Sequence, residues 1–177
     1  MKRFVCVLLP ILFLLSMTAC AKPAEEEAPA EPTSGIPNPL VEQDSAQALS
    51  DIGYPIDAPA NAKDVKYIII DGNLAEVLFT LDGREYTYRG ADESMGDIAG
   101  VYETFDEEAQ NINVDGEGWY ASVTVKTIEG GKRGALASWS YSPKQYTLYC
   151  GNEVDVTEFG GIAAALAEKV CPRDAAQ

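Results

Sequence analysis

Residues 65–89 read VKYIIIDGNLAEVLFTLDGREYTYR, and they decide the fold. Val65–Ile70 is rich in β-branched side chains, which favour the pleated backbone of a strand. Asp71-Gly72-Asn73 is turn chemistry. Leu74–Leu81 reads as a second strand, and Asp82-Gly83 is a strong signal for a tight hairpin. Glu85–Arg89 is a third strand, with Tyr86 and Tyr88 on one face because side chains alternate across a strand. Three strands joined by such short turns can only be antiparallel neighbours.

The same pattern continues toward the C-terminus. A long Gly- and acid-rich loop covers Gly90–Gly100, and Val101–Phe105 is expected as a further strand or an irregular edge. Asn111–Val114 reads as a short strand closed by Asp115-Gly116-Glu117-Gly118. Trp119–Ile128 alternates, with Val123 and Val125 facing one way and Ser122, Thr124 and Lys126 the other. Glu129-Gly130-Gly131 turns the chain. Gly134–Tyr141 and Gln145–Cys150 pair around Ser142-Pro143-Lys144. Helices flank this run. Asp44–Ile52 has an apolar face of Ala48, Leu49 and Ile52, with Asp44 as its expected cap, Gln47 three residues on, and a stop at Gly53 and Pro55. Asp155–Val170 places Phe159, Ile162, Ala163, Leu166 and Val170 on one stripe, and Asp155 with Glu158 has capping-box spacing. The order helix, hairpin-linked strands, helix predicts an α+β domain. Its expected form is a single twisted antiparallel sheet of about 6–7 strands, with the C-terminal helix packed across one face.

The N-terminus carries an address. Lys2 and Arg3 precede an apolar run, Phe4–Leu15, interrupted by Pro10. A spanning helix needs about 20 apolar residues, so this run is short for one. The segment closes on Met17-Thr18-Ala19-Cys20 and resembles a bacterial lipoprotein signal, with Met17 where that pattern prefers Leu. The resemblance implies cleavage before Cys20 and a lipid thioether (diacylglycerol, with palmitate-type chains) on its sulfur. The expected division is therefore a signal peptide at 1–19, a tether at 20–39, one globular domain at 40–171 and a disordered tail at 172–177. Within the tether, Lys22–Pro39 holds five of the ten prolines and the run Glu25-Glu26-Glu27. That composition cannot offset its own ordering entropy. At about 3.1 Å per residue such a spacer reaches on the order of 50 Å.

Charge and cysteines narrow the reading. Removal of residues 1–19 lowers the basic count from 13 to 11 against 28 acidic side chains, a net charge near −17. Nucleic acid requires basic patches, so it is excluded as a partner. Contact of the domain itself with anionic lipid is disfavoured for the same reason. Of four cysteines, Cys6 lies in the leader and Cys20 is assigned to lipid, which leaves Cys150 and Cys171. An even remainder in an exported chain is expected to bridge, two separate thiols being the alternative. The expected route has Glu153–Val156 running back along the strand that ends at Cys150 before the helix carries Cys171 forward again. A bridge closing about 20 residues would add roughly 3 kcal/mol.

The chain has no histidine, which removes the commonest general base and a common metal ligand. No phosphate-binding glycine motif or nucleophile elbow is present, and no enzyme activity or cofactor is expected. Asp92, Glu93 and Asp97 in the long loop, with Glu103 and Asp106–Glu108 beyond, are the candidate calcium ligands, although their spacing does not match an EF-hand. Tyr86, Tyr88, Trp119, Tyr120, Trp139, Tyr141, Tyr146 and Tyr149 are candidates for an exposed binding platform, with core packing as the competing role. N-P-L-V-E at 38–42, Gly53-Tyr54-Pro55, Y-R-G-A at 88–91, D-I-A-G-V-Y at 97–102 and A-S-W-S-Y at 137–141 together resemble an uncharacterised extracytoplasmic domain of Gram-positive-type lipoproteins and anti-sigma-regulator ectodomains. The resemblance implies a location and a fold type and transfers no functional residue. Ala99 stands where relatives of that look often carry Ser. The expected function is a monomeric, membrane-anchored, non-enzymatic binding or accessory module with an envelope protein as partner. A lipoprotein binding a small ligand or a cation such as calcium is the alternative.

Overall fold

The computed structural model describes residues 39–116, 119–130 and 134–171. The leader, Cys20, the tether up to residue 38 and the tail 172–177 lie outside the described residues. The described residues belong to one compact unit. It is α+β, with one open sheet and one main helix.

The strands are β1 (Leu40–Gln43), β2 (Lys63–Ile70), β3 (Leu74–Leu81), β4 (Arg84–Asp92), β5 (Phe105–Gly116), β6 (Trp119–Ile128), β7 (Ala135–Tyr141) and β8 (Lys144–Cys150). They pair antiparallel in the order β1-β2-β3-β4-β8-β7-β6-β5. The sheet thus has eight strands rather than six or seven. The additional one is β1, whose exposed Leu40 and Val41 lie at the edge beside β2. Val101–Thr104 forms no strand; β5 begins at Phe105 and spans twelve residues, well beyond Asn111–Val114, with a break in register between Phe105 and Ala109. The tight turns follow the sequence: Asp71, Gly72, Asp82 and Gly83 all take positive φ, as primed hairpin turns require.

Helix α1 (Ala46–Asp51) begins after Ser45 rather than at Asp44, and Ser45 makes no side-chain cap. Helix α2 (Val156–Val170) is capped by Asp155, whose carboxylate accepts the Glu158 amide at 2.9 Å. Its buried side, Phe159, Gly160, Ala163, Leu166 and Ala167, packs across β5, β6 and β7. Gly160 permits the approach, because a Cβ there would come within 2.5 Å of Ile112. The core between helix and sheet includes Val77, Phe79, Tyr86, Tyr88, Val123, Val125, Trp139, Tyr146 and Leu148.

The sheet order makes β4 and β5 parallel and places three strands between them. The chain must therefore return from the Asp92 end of β4 to the opposite end of the sheet. The twelve residues Glu93–Thr104 make that crossover, near the minimum length such connections need. They run over the sheet face opposite α2, and this segment is called the strap below.

The expected Cys150–Cys171 bridge does not form: both cysteines are free and buried. Helix α2 enters at the Cys150 end of β8, where Glu158 in its first turn lies 3.6 Å from Arg84. It ends beside the β7–β8 turn, where Cys171 lines a cavity with Tyr141, Ser142, Pro143 and Lys144. Lys144 and Cys150 are opposite ends of β8, roughly 20 Å apart at about 3.3 Å per residue. A disulfide needs Cα atoms within about 7 Å. The expectation inserted a return along β8 before the helix, whereas α2 itself makes the return. Denatured, unreduced protein should accept alkylation at both thiols and native protein at neither. A species lighter by the two thiol hydrogens would contradict this placement.

Candidate functional site

The strap is fastened at two places. At its base, Asp92 accepts the Ser94 amide at 2.9 Å, capping a 3-10 turn over Glu93–Met95. Gln145 on β8 donates to the carbonyls of Asp92 and Gly96, at 3.0 and 2.7 Å. Ser142 donates to Glu93 at 3.1 Å. At its middle the fastener is Arg89 on β4. Its Nε donates to Glu76 at 2.6 Å, and its Nη1 donates to the carbonyls of Ile98 and Ala99 at 3.0 and 2.8 Å. Glu76 is 5% exposed, so the guanidinium offsets a buried carboxylate while holding the loop. Ile98 then packs with Leu74 and Ala91 in a second, small apolar cluster. Gly100 has φ +63°, and a Cβ there would lie 2.1 Å from Arg89 Nη1. Gly100 therefore leaves the space that the guanidinium occupies.

Beyond this fastening, the strap and the sheet enclose a cleft of about 350 Å³ lined by Thr87, Arg89, Ala99, Gly100, Val101, Tyr102, Glu103 and Tyr149. Tyr102 is fully exposed. Burial, with Glu103 nearby, pushes the Tyr149 hydroxyl above the usual phenol range, so it stays a neutral donor and acceptor at physiological pH.

Of the expected calcium acids, Asp92, Glu93 and Asp97 each accept a hydrogen bond near the strap base, Asp106 accepts from Thr127 at 2.6 Å, and Glu103 makes no hydrogen bond or ion pair among the described residues. Asp92 caps Ser94, whose hydrogen bonds hold its carboxyl below the usual range. Asp97 accepts the Ala99 amide at 2.9 Å, and Glu93 accepts from Ser142. No cluster of three or more metal-ligating side chains occurs among the described residues.

The aromatic candidates divide by face. Tyr86, Tyr88, Trp139 and Tyr146 are buried under α2 and stack with one another and their neighbours. Phe79 and Tyr86 lie 5.2 Å apart, and Tyr88 and Tyr146 lie 5.8 and 6.5 Å from Trp139 and Tyr88. They are core. Tyr120 is exposed and donates to Asn113 at 2.9 Å. Tyr141 lines the cavity at the end of α2. The side chain of Trp119 lies outside the description. Tyr149 alone of the set lines the strap cleft, together with the fully exposed Tyr102, which strand periodicity could not flag because it stands in an irregular segment.

A second cavity, about 630 Å³, lies between the β7–β8 turn and the end of α2. Lys144 there already donates to the Gly53 carbonyl and lies 5.6 Å above the Tyr54 ring. Burial pushes the Cys171 thiol up, which makes it unreactive. The strap cleft offers more uncommitted chemistry in a smaller space.

Burial also raises the Cys150 thiol and the hydroxyls of Tyr54, Tyr86, Tyr88 and Tyr146. Tyr67 rises to about 12, through burial and then its hydrogen bond to Asp57. In each case the native state holds a proton that the unfolded chain releases. Stability is therefore full below the unfolded values, about 8.5 for thiols and about 10 for phenols, and is lost as pH rises through the folded ones. With no histidine, urea midpoints should be level between about pH 6 and 8 and fall above about pH 9. A fall between 6 and 8 would refute this.

Comparison with protein-family models, with curated proteins and with solved structures gives no match.

Proposed function

We propose that the protein is a lipid-anchored extracytoplasmic module that binds rather than catalyses. The observation that carries this reading is the leader closing on Met17-Thr18-Ala19-Cys20, followed directly by a Pro- and Glu-rich spacer. A diacylated cysteine gives stable anchoring where a single chain is marginal, so the domain needs no membrane-binding surface. The spacer holds a strongly acidic domain off the anionic bilayer. The absence of histidine supports a binding role, as does the way the carboxylates of the strap base are spent on loop hydrogen bonds. An envelope protein is the expected partner, and the strap cleft adds a place for a small ligand.

Fractionation of cells making the wild-type chain and Cys20→Ala tests the address. The wild type should sediment with membranes and be degraded by protease added to intact or wall-stripped cells. The variant should leave the lipidated pool. Equal membrane retention of both chains would count against the proposal.

A further inference from the structure

The geometry points to the strap cleft as a site for a small amine that also carries a carboxylate or carbonyl oxygen, the chemistry of a free amino acid. This deepens the small-ligand part of the proposed binding role and rests on that reading.

Arg89 anchors the cleft. Two of its nitrogens are committed to Glu76, Ile98 and Ala99, which lock the guanidinium plane. Its remaining nitrogen, Nη2, has no partner among the described residues, and Arg89 lines the cleft. A donor fixed by three hydrogen bonds loses little further freedom when it donates to a ligand oxygen. Thr87, two residues before Arg89 on the same face of β4, and the neutral Tyr149 hydroxyl line the same space. Charge decides the other half of the ligand. Arg89 is offset by Glu76, so the uncompensated charge in the cleft is that of Glu103, which makes no hydrogen bond or ion pair among the described residues. A dianion such as a phosphate ester is therefore disfavoured, and an ammonium group is favoured. Tyr102, its side chain fully exposed, and Tyr149 line the same cleft as Glu103, and aromatic faces attract ammonium groups. A cleft of about 350 Å³ stands at the small end of ligand sites, a size that suits one amino acid.

Titration calorimetry on the detergent-solubilised full mature chain tests this with glycine, L-lysine, ethylamine and acetate as probes. Glycine and L-lysine should bind in the millimolar range or tighter. Ethylamine and acetate, each carrying half the chemistry, should bind at least about tenfold more weakly. Glu103→Gln and Tyr102→Ala alter exposed side chains, and each should weaken L-lysine about tenfold or more. Lys169→Ala, in the other cavity, should leave its affinity within about twofold. Absence of binding by every probe would overturn the inference, as would acetate binding as tightly as glycine. Binding kept in Glu103→Gln but lost in Lys169→Ala would do the same. The assay requires no membrane, so a negative titration leaves the anchoring test above untouched.

Discussion

Arg89→Ala is expected to destabilise the domain by about 3–5 kcal/mol, the cost of leaving a buried carboxylate without its partner. Glu76 is the group left behind, 5% exposed on β3. Arg89 is itself mostly covered, with a side chain 20% exposed, so solvent screening reduces the effect little. The variant also loses both hydrogen bonds to the strap carbonyls, and amide exchange at Ile98–Val101 should accelerate far more than exchange in β6 or α2. The double variant Arg89→Met with Glu76→Leu should recover much of the loss, because replacing both charges by apolar side chains removes the desolvation penalty. Urea denaturation of the three proteins checks this. A loss below about 1 kcal/mol in Arg89→Ala would mean that the pair behaves as an exposed one.

Phe159→Ala should cost about 3–5 kcal/mol, the range for deleting a buried aromatic ring. Phe159 is 1% exposed and stacks at 6.4 Å on Tyr86, in the first turn of α2, the only long helix among the described residues. Its removal opens a cavity where α2 enters the sheet. Glu158→Ala at the neighbouring exposed position loses only a 3.6 Å surface pair with Arg84 and should cost less than about 1 kcal/mol. Comparable losses at the two positions, measured by thermal or urea unfolding, would show that α2 is not seated as described.

The hairpins were legible because alternation and turn chemistry agree within a few residues. Leu74–Leu81 and Trp119–Ile128 match the observed strands at both ends. Strand β1 was not legible: its four residues, Leu40–Gln43, are too few to show a period and adjoin the tether. Only the Gly- and acid-rich loop of the strap was legible, because its fasteners are distant. Glu76 and Arg89 lie thirteen residues apart on different strands, and Gln145 reaches Asp92 from fifty-three away. The sheet order that turns this loop into a crossover cannot be derived from hairpin signals, which pair only neighbours in sequence. The cysteine pairing failed on one vector, the direction of α2 relative to β8. In the candidate site, Tyr149 was among the aromatic candidates and Glu103 among the acids. Their place in one cleft lining with Arg89 and Tyr102 depends on the crossover.

The anchoring claim is tested most directly by the intact mass of the membrane-fraction protein, followed by N-terminal fragmentation. The account predicts a chain beginning at Cys20 and carrying diacylglycerol on that residue. An unmodified N-terminus, or cleavage at any other residue, would contradict it.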